Sequence, residues 1–202
     1  AISEAQSQNR RDLMQHYFSS ALNQSFVIIF AFIMIYTVFI GGLIELISGP
    51  QFPREIMHGL GVQSVIGGGG AAMLFVIVHL YIGLKRPVIP AVALSAVLVF
   101  LVGGTVGFCL YFKDIDWAYA AFIISTWGGT VALLVLAYRA FGLRTEWWTY
   151  GEPLIAGAPG LLVVCFLIPA TEVWWNVALR GIVLVAPYGL VLWRLDQIGR
   201  AH

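Results

Sequence analysis

Apolar positions in this chain do not alternate with polar ones; they run together in long blocks. Six blocks stand out, at about 25–47, 62–84, 88–112, 117–138, 153–170 and 177–195. Each reaches the ~18–20 residues that a helix needs to cross a hydrocarbon core ~30 Å thick. The punctuation between them is equally clear. Pro50, Pro53 and Arg54 follow the first block, Lys85-Arg86-Pro87 the second and Lys113-Asp114 the third. Arg139 opens the longest connection, which carries Arg144 and the Trp147-Trp148-Thr149-Tyr150 cluster. Thr171-Glu172 separates the last two blocks. In lipid every backbone amide must find its partner within the chain, so blocks of this kind become helices. The predicted fold is an all-α integral membrane protein of six transmembrane helices, arranged as three antiparallel hairpins.

The first residues follow a different pattern. Leu13 with Tyr17 and Met14 with Phe18 repeat four apart, opposite Gln8, Asn9, Arg11 and Asp12. This predicts an amphipathic segment over 1–24 that lies in the membrane interface ahead of a six-helix domain over 25–202. The alternative is that the same residues are the wet first turns of the first span. Arg10-Arg11 is not read as a twin-arginine signal, because no small-residue cleavage site follows and the apolar run is too long.

Composition agrees with the blocks: the chain of 202 residues is 60% hydrophobic and 10% charged. Soluble domains average about 25% charged residues. A formal net charge of +1 leaves no basic surface of the size that nucleic acid requires. Six spans put both termini on one side, and Arg10, Arg11, Lys85, Arg86, Arg139, Arg144, Arg194 and Arg200 fall there. Arg54, Lys113 and Arg180 fall on the other. The bias predicts cytoplasmic termini in a bacterial inner membrane. Cys109 and Cys165 lie at different depths of apolar blocks, which argues against a disulfide.

Glycine carries the most specific signal. Gly67-Gly68-Gly69-Gly70 sits inside the second block, where a loop is excluded, and gives that helix a face without side chains. Gly41-Gly42, the GxxxG pair Gly103 and Gly107, and Gly128-Gly129 extend the pattern. Ser125 with Gly129 and Gly67 with Ala71 are further small pairs four apart. All predict close helix contact. Segments 69–76 and 128–135 echo each other, as do 38–42 and 100–104, which suggests repeated helical hairpins.

Ionisable residues inside apolar blocks are few. Glu45 and Arg180 both lie about one turn inside the outer boundary, so they are candidates for an ion pair or an outer vestibule. Separate snorkelling to the interface is the plainer reading. His58 and His79 are candidate ligands for haem or a chlorophyll-type pigment, yet they sit at opposite ends of one block, and no cofactor is predicted. HExxH, CxxC, Ser–His–Asp and P-loop patterns do not occur, so catalysis has no sequence support. The expected function is a non-catalytic polytopic subunit of a transport or electron-transfer assembly. It would bind partner membrane chains, or copies of itself, through Gly-rich faces. A self-contained small-solute channel or transporter is the first alternative and a pigment-binding membrane protein the second.

Overall fold

The helix breakers set the element boundaries. The computed structural model describes the backbone except at residues 1, 9, 49–53, 114, 146, 167–173 and 201–202. Side-chain surroundings are described over a narrower set, which also leaves out 41–48, 54–58, 147–149, 152, 165–166, 174–175, 177, 191–192 and 194–200. Seven helices appear among the described residues: α1 Ile2–Ser7, α2 Arg11–Ser48, α3 Arg54–Gly83, α4 Val88–Phe112, α5 Asp116–Phe141, α6 Trp147–Phe166 and α7 Trp174–Arg200. Four segments, within α2, α3, α4 and α5, are long and apolar enough to cross a membrane. The chain therefore has the character of a helical membrane protein. The apolar segments of the last two helices, Pro153–Val164 and Ala178–Leu190, are shorter.

Three helix ends turn through the left-handed region. Gly142 (φ 63°) closes α5, and its N–H reaches back to the Tyr138 carbonyl at 2.8 Å. Glycine adopts this conformation without strain. Lys113 (φ 54°) closes α4 in the same way, its N–H 3.0 Å from the Cys109 carbonyl, and Lys85 (φ 53°) follows α3. A side chain there costs roughly 1–2 kcal/mol. A cation beside the negative end of a helix dipole offsets part of that cost.

The expected 1–24 segment is divided by the structure. Only Ile2–Ser7 is a separate helix, and from Arg11 the chain runs unbroken into the first span. The physical reason is where the apolar stripe goes. Met14, Phe18 and Leu22 are buried in one cluster with Met73, Ile77, Tyr81, Leu84, Leu133, Ala137 and Leu143. Protein covers Met14, Phe18 and Leu22 of that stripe, while Tyr17 stays exposed.

Helix packing follows a row. α2 lies on α3, α3 on α5 and α5 on α4, while α1 tucks against α2 and α3. α6 and α7 pack on each other and on α2. Facing residues fix the directions. Gly67 faces Thr126 and Gly70 faces Thr130, so α3 and α5 run the same way. Val97 meets Gly129 and Ala121 meets Gly104, so α4 opposes α5. A second cluster joins Met34 of α2 to Ala156, Val164, Leu184 and Tyr188 of the last two helices.

Candidate helix-packing site

Among the described residues the densest polar contacts between helices join α3 to α5, and the glycine run makes them reachable. A helix carbonyl is normally screened by the side chains around it. Where α3 has glycine, side chains of α5 reach its backbone directly. The Trp127 Nε1–H donates to the Ile66 carbonyl at 3.0 Å. The Thr126 hydroxyl lies 3.2 Å from the Gly67 carbonyl, and the Thr130 hydroxyl 3.2 Å from that of Gly70. Each threonine also reaches its own helix, Thr126 to Phe122 at 2.9 Å and Thr130 to Thr126 at 3.0 Å. Each threonine proton is shared, among three carbonyls for Thr126 and two for Thr130, whereas the indole donates to one. Further along the seam, the fully buried Tyr81 returns a bond from α3 to the Leu133 carbonyl of α5 at 2.8 Å.

Shape tells the same story as polarity. An added Cβ at Gly70 would lie 2.6 Å from the Thr126 hydroxyl and 2.8 Å from the Trp127 ring. At Gly67 it would overlap the Phe122 ring, and at Gly69 it would press on Ile33 and Ile29 of α2. Gly129 of α5 is filled by Val97 of α4. These four glycines are holes that neighbouring helices occupy. The others of the predicted set differ. A Cβ at Gly68, Gly103, Gly107 or Gly128 would meet nothing within 4 Å. The surroundings of Gly41 and Gly42 lie outside the described residues.

The remaining candidates are dispersed. The side chains of Glu45 and His58 fall outside the described residues, so their pairing and ligation are not described. Arg180 directs a guanidinium nitrogen to the Val164 carbonyl at 3.4 Å. Val164 is in the last described turn of α6, and a cation near the C-terminal part of a helix complements its dipole. His79 is exposed on α3, with Nδ1 2.8 Å from the Phe75 carbonyl one turn before it. Among the described residues no group of three metal-ligating side chains comes together.

Sequence reasoning passed over several residues that hold the bundle. Thr126 and Thr130 had a signal, being hydroxyl residues four apart on the face of Ser125 and Gly129. Gly157 and Gly160 of α6 had none beyond their type. Gly157 receives Phe30 and Met34 of α2, and Gly160 lies against the backbone of Val183 and Leu184. Gln15 clamps the α5–α6 connection with two bonds to one residue: its Nε2 donates to the Arg144 carbonyl at 2.6 Å, and its Oε1 accepts from the Arg144 N–H at 2.7 Å. What the arrangement can do chemically is hold helices at close approach. No family model matches this chain, and neither a curated protein nor a solved structure is detectably similar to it.

Proposed function

We propose that this chain is a non-catalytic, multi-pass subunit of a larger transport or electron-transfer assembly, with six spans in three antiparallel hairpins. The observation that carries the proposal is the division among its glycines. Gly67, Gly69, Gly70 and Gly129 are filled from within, while Gly68, Gly103, Gly107 and Gly128 face outward with open space before them. Glycine costs about 1 kcal/mol relative to alanine in a helix interior. An outward glycine returns that cost when another helix packs on it, since in lipid association rests on close van der Waals contact. Gly103 and Gly107, four apart on the exposed face of α4, fit that use.

Two further features support the topology. α6 and α7 have 20 and 27 residues, at least ~30 Å at about 1.5 Å per residue. Basic residues gather where α2 begins and α3 and α5 end, which by the positive-inside rule supports the reading of cytoplasmic termini, in a bacterial inner membrane. A channel or transporter is the second reading, favoured by Pro153, Pro159 and Pro187 inside α6 and α7. A bound pigment on His58 or His79 is the third.

The deciding experiment is purification of the chain from its native membrane in mild detergent, with mass spectrometry of whatever accompanies it. Stoichiometric partner chains, or a defined homo-oligomer, are expected. A pure monomer that conducts a solute after reconstitution would establish the channel instead, and a visible absorption band would establish the pigment protein. Topology is read separately by impermeant thiol labelling of intact cells. Gln51→Cys and Asp114→Cys should react from outside and Glu146→Cys should not; labelling of the last would invert the arrangement.

A further inference from the structure

A groove runs along the outer side of the α4–α5 pair, with a volume of about 730 Å³. Its floor is built from small residues, among them Ala96 and Gly104 on α4 and Gly128, Gly129 and Ala132 on α5. It extends from Val88 to Phe108, roughly 30 Å at about 1.5 Å per residue. The groove is long and almost wholly apolar, a surface that a hydrocarbon chain can follow along its length.

Its two ends differ in chemistry. At the Phe108 end, Trp117 stacks on Phe112 with ring centres 4.1 Å apart, and Phe108 packs edge-on against both. Phe108 is the member of this aromatic group that lines the groove. At the other end Val88 follows directly on Lys85-Arg86-Pro87, and Leu136 on α5 is followed three residues later, on the same helix face, by Arg139. Lys85, Arg86 and Arg139 are all exposed. The apolar channel therefore opens onto three cations at the level where α4 begins and α5 ends.

From this pairing we infer that the α4–α5 groove is a binding site for an anionic phospholipid. One of its hydrocarbon chains lies along the exposed Gly128 and Ala132, and its phosphate rests among Lys85, Arg86 and Arg139. Charge complementarity at the open end selects an anionic lipid headgroup over an apolar partner helix. Each cation near the surface adds about fivefold to the affinity for an anionic lipid, so three give roughly a hundredfold preference over a zwitterionic one.

The test uses the full chain in detergent micelles, with phosphatidylglycerol and phosphatidylcholine as probes. Bound lipid is counted by native mass spectrometry, and stabilisation is read by thermal unfolding. Phosphatidylglycerol should bind and raise the unfolding temperature well above any effect of phosphatidylcholine. The combined Lys85→Gln, Arg86→Gln and Arg139→Gln variant should lose the preference between the two lipids; its lipid-free unfolding temperature falls slightly as the helix-end cations are lost, so the preference is read as the difference between the two lipids on the same variant. Gly128→Leu fills the groove from an open position and should abolish retention of phosphatidylglycerol with every cation present. Equal retention of the two lipids would overturn the inference, as would undiminished retention by Gly128→Leu. Stabilisation by inorganic phosphate equal to that by phosphatidylglycerol would overturn it too, by showing an anion site that does not use the groove. A dimer insensitive to lipid would do the same, by showing that a second copy covers this face.

Discussion

Gly68, Gly69 and Gly70 are adjacent in sequence and meet three different surroundings, so an alanine series through them isolates packing from propensity. Alanine gains about 1 kcal/mol of helix propensity at each position. At Gly68 the new methyl meets nothing within 4 Å, and the gain is kept: the variant should be neutral or up to about 1 kcal/mol more stable. At Gly69 the methyl presses on the Ile33 Cδ1, which χ2 rotation can move, and on the Ile33 and Ile29 γ carbons at 3.0 and 3.3 Å, which χ1 holds in place, so the result should lie between those at Gly68 and Gly70. Gly70 is the severe case. Its neighbours are the Thr126 hydroxyl at 2.6 Å and the Trp127 ring at 2.8 Å, both held by bonds to the α3 backbone. Forcing them outward adds about 1–3 kcal/mol of overpacking strain. It also stretches three interhelical hydrogen bonds, each worth about 0.6 kcal/mol between membrane helices. After the propensity gain, Gly70→Ala should destabilise by roughly 2–4 kcal/mol. Reversible unfolding in mixed micelles, followed by tryptophan fluorescence and circular dichroism, measures the three variants on one scale. If Gly70→Ala proves as stable as Gly68→Ala, α3 and α5 do not approach as closely as described and the seam argument fails.

Other contacts yield smaller effects. Tyr81→Phe removes a buried donor to the Leu133 carbonyl, and Tyr188→Phe one to the Val27 carbonyl at 2.7 Å. Each should cost about 0.6–1.7 kcal/mol in the same unfolding assay, because those carbonyls keep a helical partner. Gln15→Ala frees the Arg144 backbone from its two-bond clamp. Hydrogen exchange at the Arg144 amide should quicken about fivefold for the ~1 kcal/mol lost, with exchange in the middle of α3 unchanged.

The helices were legible because lipid leaves one solution for an apolar block, and because the breakers are emphatic. Lys85-Arg86-Pro87 ends α3 and opens α4 within a residue or two of expectation. The division of the N-terminal segment was not legible. Leu13, Met14, Tyr17 and Phe18 form a stripe whose period is the same whether lipid or protein covers it. Only the fold reveals that Met14 and Phe18 share a buried cluster with Leu84 and Leu143. The glycines were half legible. Sequence singles out Gly67 to Gly70 as a contact face, yet four consecutive residues point in four directions around a helix. Which are filled depends on where α2 and α5 sit. Threonine is ambiguous for a related reason, since Thr126 and Thr130 can satisfy themselves on their own helix and need no neighbour to be content.

The position of α2 explains why the bundle needs glycines on its neighbours more than on itself. Among the described residues, α2 is the element through which α6 and α7 touch the rest. It meets α3 with Ile29 and Ile33, and α6 with Phe30 and Met34, two pairs four apart that lie on adjacent faces one residue out of phase. Each pair fits a glycine gap, Gly69 on α3 and Gly157 on α6. A single helix thus keeps its large side chains on both faces while both partners lose theirs. In lipid the close fit of such knobs is the main attraction available. The two joints differ in stiffness. Ile33 is β-branched and held to one preferred χ1 rotamer in a helix, whereas Met34 is unbranched and can re-pack against Gly157. The Phe30 ring and the Tyr188 bond to Val27 limit that freedom without removing it. The α2–α3 contact is accordingly the rigid joint and the α2–α6 contact the compliant one. A partner helix pressing on α6 or α7 would therefore shift them against α2 before it disturbed the threonine and tryptophan seam.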